Sequence, residues 1–105
     1  MAQTDYYKDL LKRLCEDQGI YTCKPRFENI ENLVVINLKN HLKEGVDLEI
    51  VKIINIVYQT VVPLGIGFDQ QLYLYPNGNR LDRIAISFEK ADYDVLNKKL
   101  ETGEI

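Results

Sequence analysis

The sequence predicts a single α+β domain across residues 1–105, in the order α-β-β-α-β-β-α. It predicts a mostly antiparallel four-stranded sheet with helices packed on one face. Three observations carry this. Residues 7–15 place apolar side chains at helical spacing. Two strand pairs are bounded by turn residues, the second around Asn77-Gly78. Between them, residues 47–61 form an apolar run broken by polar residues every three or four positions.

Tyr7, Leu10, Leu11, Leu14 and Cys15 follow the i, i+3, i+4, i+7 pattern of an amphipathic helix, with Lys8, Asp9, Lys12, Arg13, Glu16 and Asp17 opposite. Thr4 suits the N-cap, Asp5 suits the helix dipole, and Gly19 is a natural stop, so a helix is expected over residues 4–18. Residues 20–28 hold β-formers but also Pro25, which cannot donate to a ladder, so an edge or interrupted strand is expected. Residues 33–39 form a clear strand, and residues 28–32 have turn chemistry, which together make a first hairpin.

Residues 40–47 are polar and contain Gly45, so they read as a connection. Glu49, Lys52, Asn55 and Gln59 then recur as a narrow polar stripe, which predicts a helix over 47–61 with Asp47 as its N-cap. The β-branched residues Ile50, Val51, Ile53, Ile54, Ile56 and Val57 pull toward strand, but strict alternation would put Ile53 and Ile54 on opposite faces. Such a helix is apolar around most of its circumference. It must be central and buried, or pack on both the sheet and a second chain. Pro63, Gly65 and Gly67 end it.

Residues 70–75 and 82–89 form the second hairpin, with Asn77-Gly78 at its tip. Leu72 and Leu74 share one face, as do Ile84, Ile86 and Phe88, and these faces are expected to line the core. Residues 91–100 close the domain as a helix buried through Tyr93, Leu96 and Leu100.

Composition limits the function. The net charge is −3 and the pI about 5.1, whereas a general electrostatic nucleic-acid binder is usually basic. About two-thirds of the unfolded surface of a chain this long is buried on folding, enough for one core. The apolar stretch 48–68 is interrupted by Glu49, Lys52, Asn55, Gln59 and Pro63, which argues against a membrane span. Residues 1–8 lack the pattern of a secretory signal, so an intracellular, cytoplasmic protein is expected. Cys15 and Cys23 are too few for a disulfide framework and read as partly buried thiols, with a Cys15–Cys23 bridge open if helix and strand pack closely. A metal centre is not expected, since zinc would need a carboxylate ligand or a second chain beside Cys15, Cys23 and His41.

Catalytic chemistry finds little footing. There is no Gly-x-Ser-x-Gly elbow and no phosphate loop, and Gly65-Ile66-Gly67 follows no strand. His41 lies in a polar connection and reads as exposed rather than as a base for a cysteine. Asp92 and Asp94, two apart on a helix, point in different directions. Neither an enzyme nor a cofactor is expected.

The second hairpin is the most informative feature. With Leu72 and Leu74 inward, Tyr73 and Tyr75 face outward beside Ala85 and Ser87, with Arg80 and Arg83 nearby. Tyrosines over small residues make a flat amphipathic patch suited to a protein partner or a second copy. Packing under another helix and base stacking are the alternatives. The excess apolar circumference of residues 47–61 points to homodimerisation through Ile50, Ile54, Val57 and Tyr58. Lys24, Arg26, Arg80 and Arg83 could cluster around a phosphate or an acidic partner, or be ordinary solvated charge.

The expected function is a non-enzymatic protein-binding module: a small acidic inhibitor, adaptor, immunity or chaperone-like protein, homodimeric, that occludes or holds another protein. The element order is similar to that of type III secretion chaperones, small acidic dimers, although the third strand of their first half is missing here. The alternatives are a nucleic-acid-associated regulator of a mobile element or virus, or a small enzyme or ligand-binding domain with a cleft near residues 63–69.

Overall fold

The computed structural model describes residues 5–21, 23–40, 48–76 and 81–103. Among them the order is α1 (Tyr6–Asp17), β1 (Arg26–Ile30), β2 (Leu33–Lys39), α2 (Leu48–Val61), a 3-10 turn (Val62–Leu64), β3 (Asp69–Leu74), β4 (Leu81–Glu89) and α3 (Lys90–Glu101). The strands form one antiparallel sheet in the order β1-β2-β4-β3. The expected α+β order and four-stranded antiparallel sheet are therefore present.

α1 starts on Asp5, whose carboxylate accepts from the Lys8 backbone N–H at 3.1 Å. The expected cap, Thr4, lies outside the described residues. At the other end Gly19 has φ +74°. Its N–H donates to Glu16 O (3.0 Å), and that of Ile20 donates to Cys15 O (2.8 Å), the pair of bonds of a Schellman motif. The same motif recurs after the 3-10 turn, where Gly65 (φ +71°) donates to Val62 O and Ile66 to Val61 O. Ile20 and Ile66, the residues after each glycine, are both buried.

β1 begins at Arg26, later than expected, because Pro25 cannot join the ladder. The preceding segment still anchors the core through buried Ile20 and Cys23. β1 and β2 meet at Ile30↔Leu33, leaving Glu31-Asn32 as a two-residue turn with Glu31 at φ +54°.

α2 is a helix despite its β-branched content. Ile50, Ile53, Val57 and Val61 lie on one face and are fully buried. Each such side chain contributes about 1.5–3 kcal/mol, against a propensity cost of at most about 0.7 kcal/mol per residue. Asp47, the expected N-cap, lies outside the described residues. The core pairs this face with Val34, Ile36 and Leu38 of β2 and Ile84, Ile86 and Phe88 of β4. Tyr7 lies edge-on to Phe27, Phe88 and Tyr93, with centroids 6.4, 6.0 and 5.7 Å away. α3 is buried through Tyr93 and Leu96, with Leu100 partly buried, as its spacing predicts.

Leu72 and Leu74 correct one expectation. Leu72 pairs with Ile84 on the helix-side face, yet it is 62% exposed, and Leu74 is 56% exposed. They sit on edge strand β3, whose described residues are all exposed, while the core cluster draws on β2 and β4. Both leucines stand on the helix side as alternation predicts, but the helix layer stops short of this edge.

Candidate interaction surfaces

Alternation along the strands assigns every side chain to one of two faces. The face away from the core carries four successive rows across the sheet. They are Ile30–Leu33–Glu89, Glu28–Val35–Ser87–Asp69, Arg26–Asn37–Ala85–Gln71 and Lys39–Arg83–Tyr73. The middle is floored by Val35 and Ala85, both buried beneath their neighbours, with half-buried Asn37 and Ser87 beside them. One end of the face is acidic, through Glu28, Asp69 and Glu89. The other is basic, through Arg26, Lys39 and Arg83.

Lys39 and Arg83 stand directly opposite each other on the two central strands, an arrangement of like charges that costs stability. The Arg83 guanidinium lies 4.3 Å from the Tyr73 ring centroid, and Tyr73 Oη donates to Gln71 Oε1 at 2.8 Å. Among the described residues, none of Arg26, Lys39 and Arg83 makes an ion pair within the chain.

The expected hairpin patch is thus partly rearranged. Tyr73 does face outward, but it stands opposite Arg83. Gln71 is opposite Ala85 and Asp69 opposite Ser87. The hairpin register sets this: with Leu74 opposite Leu81, Tyr73 reaches only as far as Arg83, and the bulge that leaves Asp82 as one extra residue keeps Tyr73 on the face of Ala85 and Ser87. Tyr75 lies beyond the end of β3 and is half-buried, and Arg80 is outside the described residues. Arg26 and Arg83 do share this face, joined by Lys39. Lys24 precedes β1 and borders a different groove.

The second surface lies on the helix side. Val51, Tyr58 and Val62 are 44%, 56% and 51% exposed and recur at helical spacing along the outer flank of α2 and the turn after it. Tyr58 is edge-on to Phe68, with centroids 5.5 Å apart, and Phe68 leads directly into β3. Exposed Leu72 and Leu74 follow on that strand. Of the proposed dimerisation set, Ile50 and Val57 are fully buried inside the chain and Ile54 is partly buried against the core, so these cannot form a contact surface. Tyr58 alone is exposed. The apolar circumference of α2 divides between core and flank, and the side facing the sheet claims Ile50 and Val57.

A groove of about 630 Å³ runs between α1 and the segment before β1, floored by Leu11, Cys15, Ile20, Cys23 and Phe27. Both cysteines are buried, and no disulfide joins Cys15 to Cys23. Burial, with Glu16 beside it, pushes the Cys15 thiol above its ordinary range, which disfavours the nucleophilic thiolate. The Cys23 thiol donates to Lys39 O at 3.3 Å, and its backbone N–H donates to Glu49 Oε2 at 3.1 Å. His41, expected to be exposed in a polar connection, lies outside the described residues. Among the described residues, no group of His, Cys, Asp and Glu side chains could hold a metal ion. None of the helices described is long and apolar enough to cross a membrane.

Near the N-terminus, Tyr93 Oη donates to the Asp5 carboxylate at 3.0 Å, and the Tyr7 backbone N–H donates to Asn97 Oδ1 at 2.8 Å. These bonds tie α1 to α3. Burial, then the Asp5 carboxylate, raises the Tyr93 phenol above its ordinary range, and burial does the same for Tyr7.

Sequence reasoning missed Lys39, Glu28, Asp69 and Glu89 as parts of one polarised face. Alternation along β1 and β2 was the available signal. It also missed Leu72 and Leu74 as surface residues, for which their place on an edge strand was the only hint. No protein-family model, curated protein or solved structure matches the chain.

Proposed function

We propose that the chain is a non-enzymatic protein-binding module, an intracellular homodimer that occludes or holds another protein. The observation that carries this is the apolar flank of Val51, Tyr58, Val62, Leu72 and Leu74, which ends on edge strand β3. An edge strand offers a row of backbone donors and acceptors, and the two leucines offer apolar contact beside it, the combination used in strand addition. A surface of this kind suits the inhibitor, adaptor, immunity or chaperone-like role expected from composition. The test is affinity capture from the source cells, with wild-type bait and a folded Tyr58→Ser, Leu72→Ser bait. A stoichiometric protein retained by the first and lost by the second supports the reading. A partner kept equally by both, or none, removes it.

The groove between α1 and β1 favours a second reading, a small ligand-binding domain, since its volume falls within the range of about 300–1,000 Å³ of ligand pockets. A metabolite that raises the melting temperature, an effect abolished by Leu11→Trp, would support that instead.

A further inference from the structure

We propose that the open face of the sheet is the homodimer interface, and that it pairs with a second copy whose strands run in the reverse sense. This rests on the homodimer reading above and specifies how the copies meet. The face is flat and small in the middle, at Val35, Asn37, Ala85 and Ser87, and charged at both ends with opposite signs. Two identical sheets can meet face to face about a two-fold axis in one of two ways. With the axis along the strands, β1 lies over the partner's β3 and β2 over its β4. Lys39 then meets Arg83, and Glu28 meets Asp69, so like charges face one another. With the axis across the strands, each strand lies over its own copy with its ends exchanged. Arg26 then meets Glu28, Arg83 meets Glu89, Ala85 meets Ser87 and Asn37 meets Val35. The charge pattern selects the second arrangement.

Packed sheets turn by about 30° relative to one another, which displaces the outer pairs by about 5 Å, one strand spacing, within the reach of arginine and glutamate side chains. The small central residues allow the sheets to approach to the usual spacing of about 10 Å. The arrangement also gives Arg83, which Lys39 repels within one copy, a counter-charge in Glu89 of the second copy. Four strands of about seven residues project an area of about 400 Å² per copy, small for a permanent dimer. The dimer is therefore expected to be concentration-dependent and weakened by salt.

The test uses two charge-reversal variants at exposed positions, Arg26→Glu with Arg83→Glu and Glu28→Lys with Glu89→Lys, each checked for the wild-type circular dichroism spectrum. Sedimentation velocity is run in low salt at about 100 µM, where complexes with dissociation constants in the micromolar range are populated. The wild type is expected to dimerise, each variant to be monomeric alone, and an equimolar mixture to form a 1:1 heterodimer. Variants that dimerise alone as well as the wild type overturn this arrangement and leave the homodimer reading standing. A wild type and a mixture that are both monomeric overturn the two together. Monomeric wild type that binds labelled single-stranded RNA, lost on reversing the arginines, overturns the inference in favour of a polyanion on the basic end.

Discussion

Tyr7→Phe should stabilise this protein, an unusual outcome for a change at the centre of a core. Tyr7 is fully buried among Phe27, Phe88 and Tyr93, and among the described residues its hydroxyl has no hydrogen-bond partner. A buried unpaired hydroxyl costs about 1–3 kcal/mol in lost hydration. Removing it leaves a void on the order of 10 Å³, worth about 0.2 kcal/mol. The ring remains, so the edge-to-face contacts are kept, as is the backbone bond to Asn97. The net expectation is a gain of about 1–2 kcal/mol, or a melting temperature higher by about 4–8 °C per kcal/mol for a domain near 100 residues. Urea unfolding should show a higher midpoint with an unchanged slope. A loss of 1 kcal/mol or more, by about the same measure, would refute the reasoning, because the hydroxyl would then have a partner that the packing does not explain.

The same substitution at Tyr93 should do the opposite. Tyr93→Phe removes a bond to the Asp5 carboxylate and loosens the α1 cap, for a loss of about 1.5–3 kcal/mol in the same urea experiment. Both phenols hold their protons in the folded state beyond the ordinary value of about 10, so unfolding releases protons above that pH. Stability should be level with respect to these groups below pH 10, then fall by about 2.7 kcal/mol per pH unit, the sum of two single-proton slopes. The Tyr93→Phe protein should show about half that slope, and an equal slope would contradict the assignment. Glu31→Gly should raise stability by about 0.5–1 kcal/mol, since φ +54° strains a side-chain-bearing residue; a decrease would mean that the turn relies on the glutamate. Leu72→Ser should change stability by less than about 0.5 kcal/mol in thermal unfolding, and a cost above about 2 kcal/mol would show that it belongs to the core.

Much of the fold is legible in the residues because local and global signals agree. The α1 spacing and Gly19, the β2 run and the spacing of Tyr93 and Leu96 each answer to one physical rule. α2 needed an argument against propensity, and its polar stripe at Lys52, Asn55 and Gln59 supplied it. The surfaces were harder to read. Whether Leu72 is core or surface depends on how far the helix layer extends, which alternation along one strand does not encode. The neighbours of Tyr73 depend on the extra residue at Asp82, a shift with no signature in composition. Ile50 and Val57 read from the residues as dimer contacts because an apolar helix does not say which of its faces the sheet will take. The polarised open face emerges only when four strands are placed in register, since its charges come from every strand of the sheet.

Hydrogen exchange, measured on the protein alone and saturated with the partner recovered by capture, tests most directly whether this chain works through its apolar flank. The account predicts slower exchange at Asp69–Leu74 on edge strand β3, whose backbone groups a partner strand would engage, and along the exposed flank of α2. Protection confined to α1 and the segment before β1, with β3 unchanged, would contradict it and move the binding site to the groove that holds the two thiols.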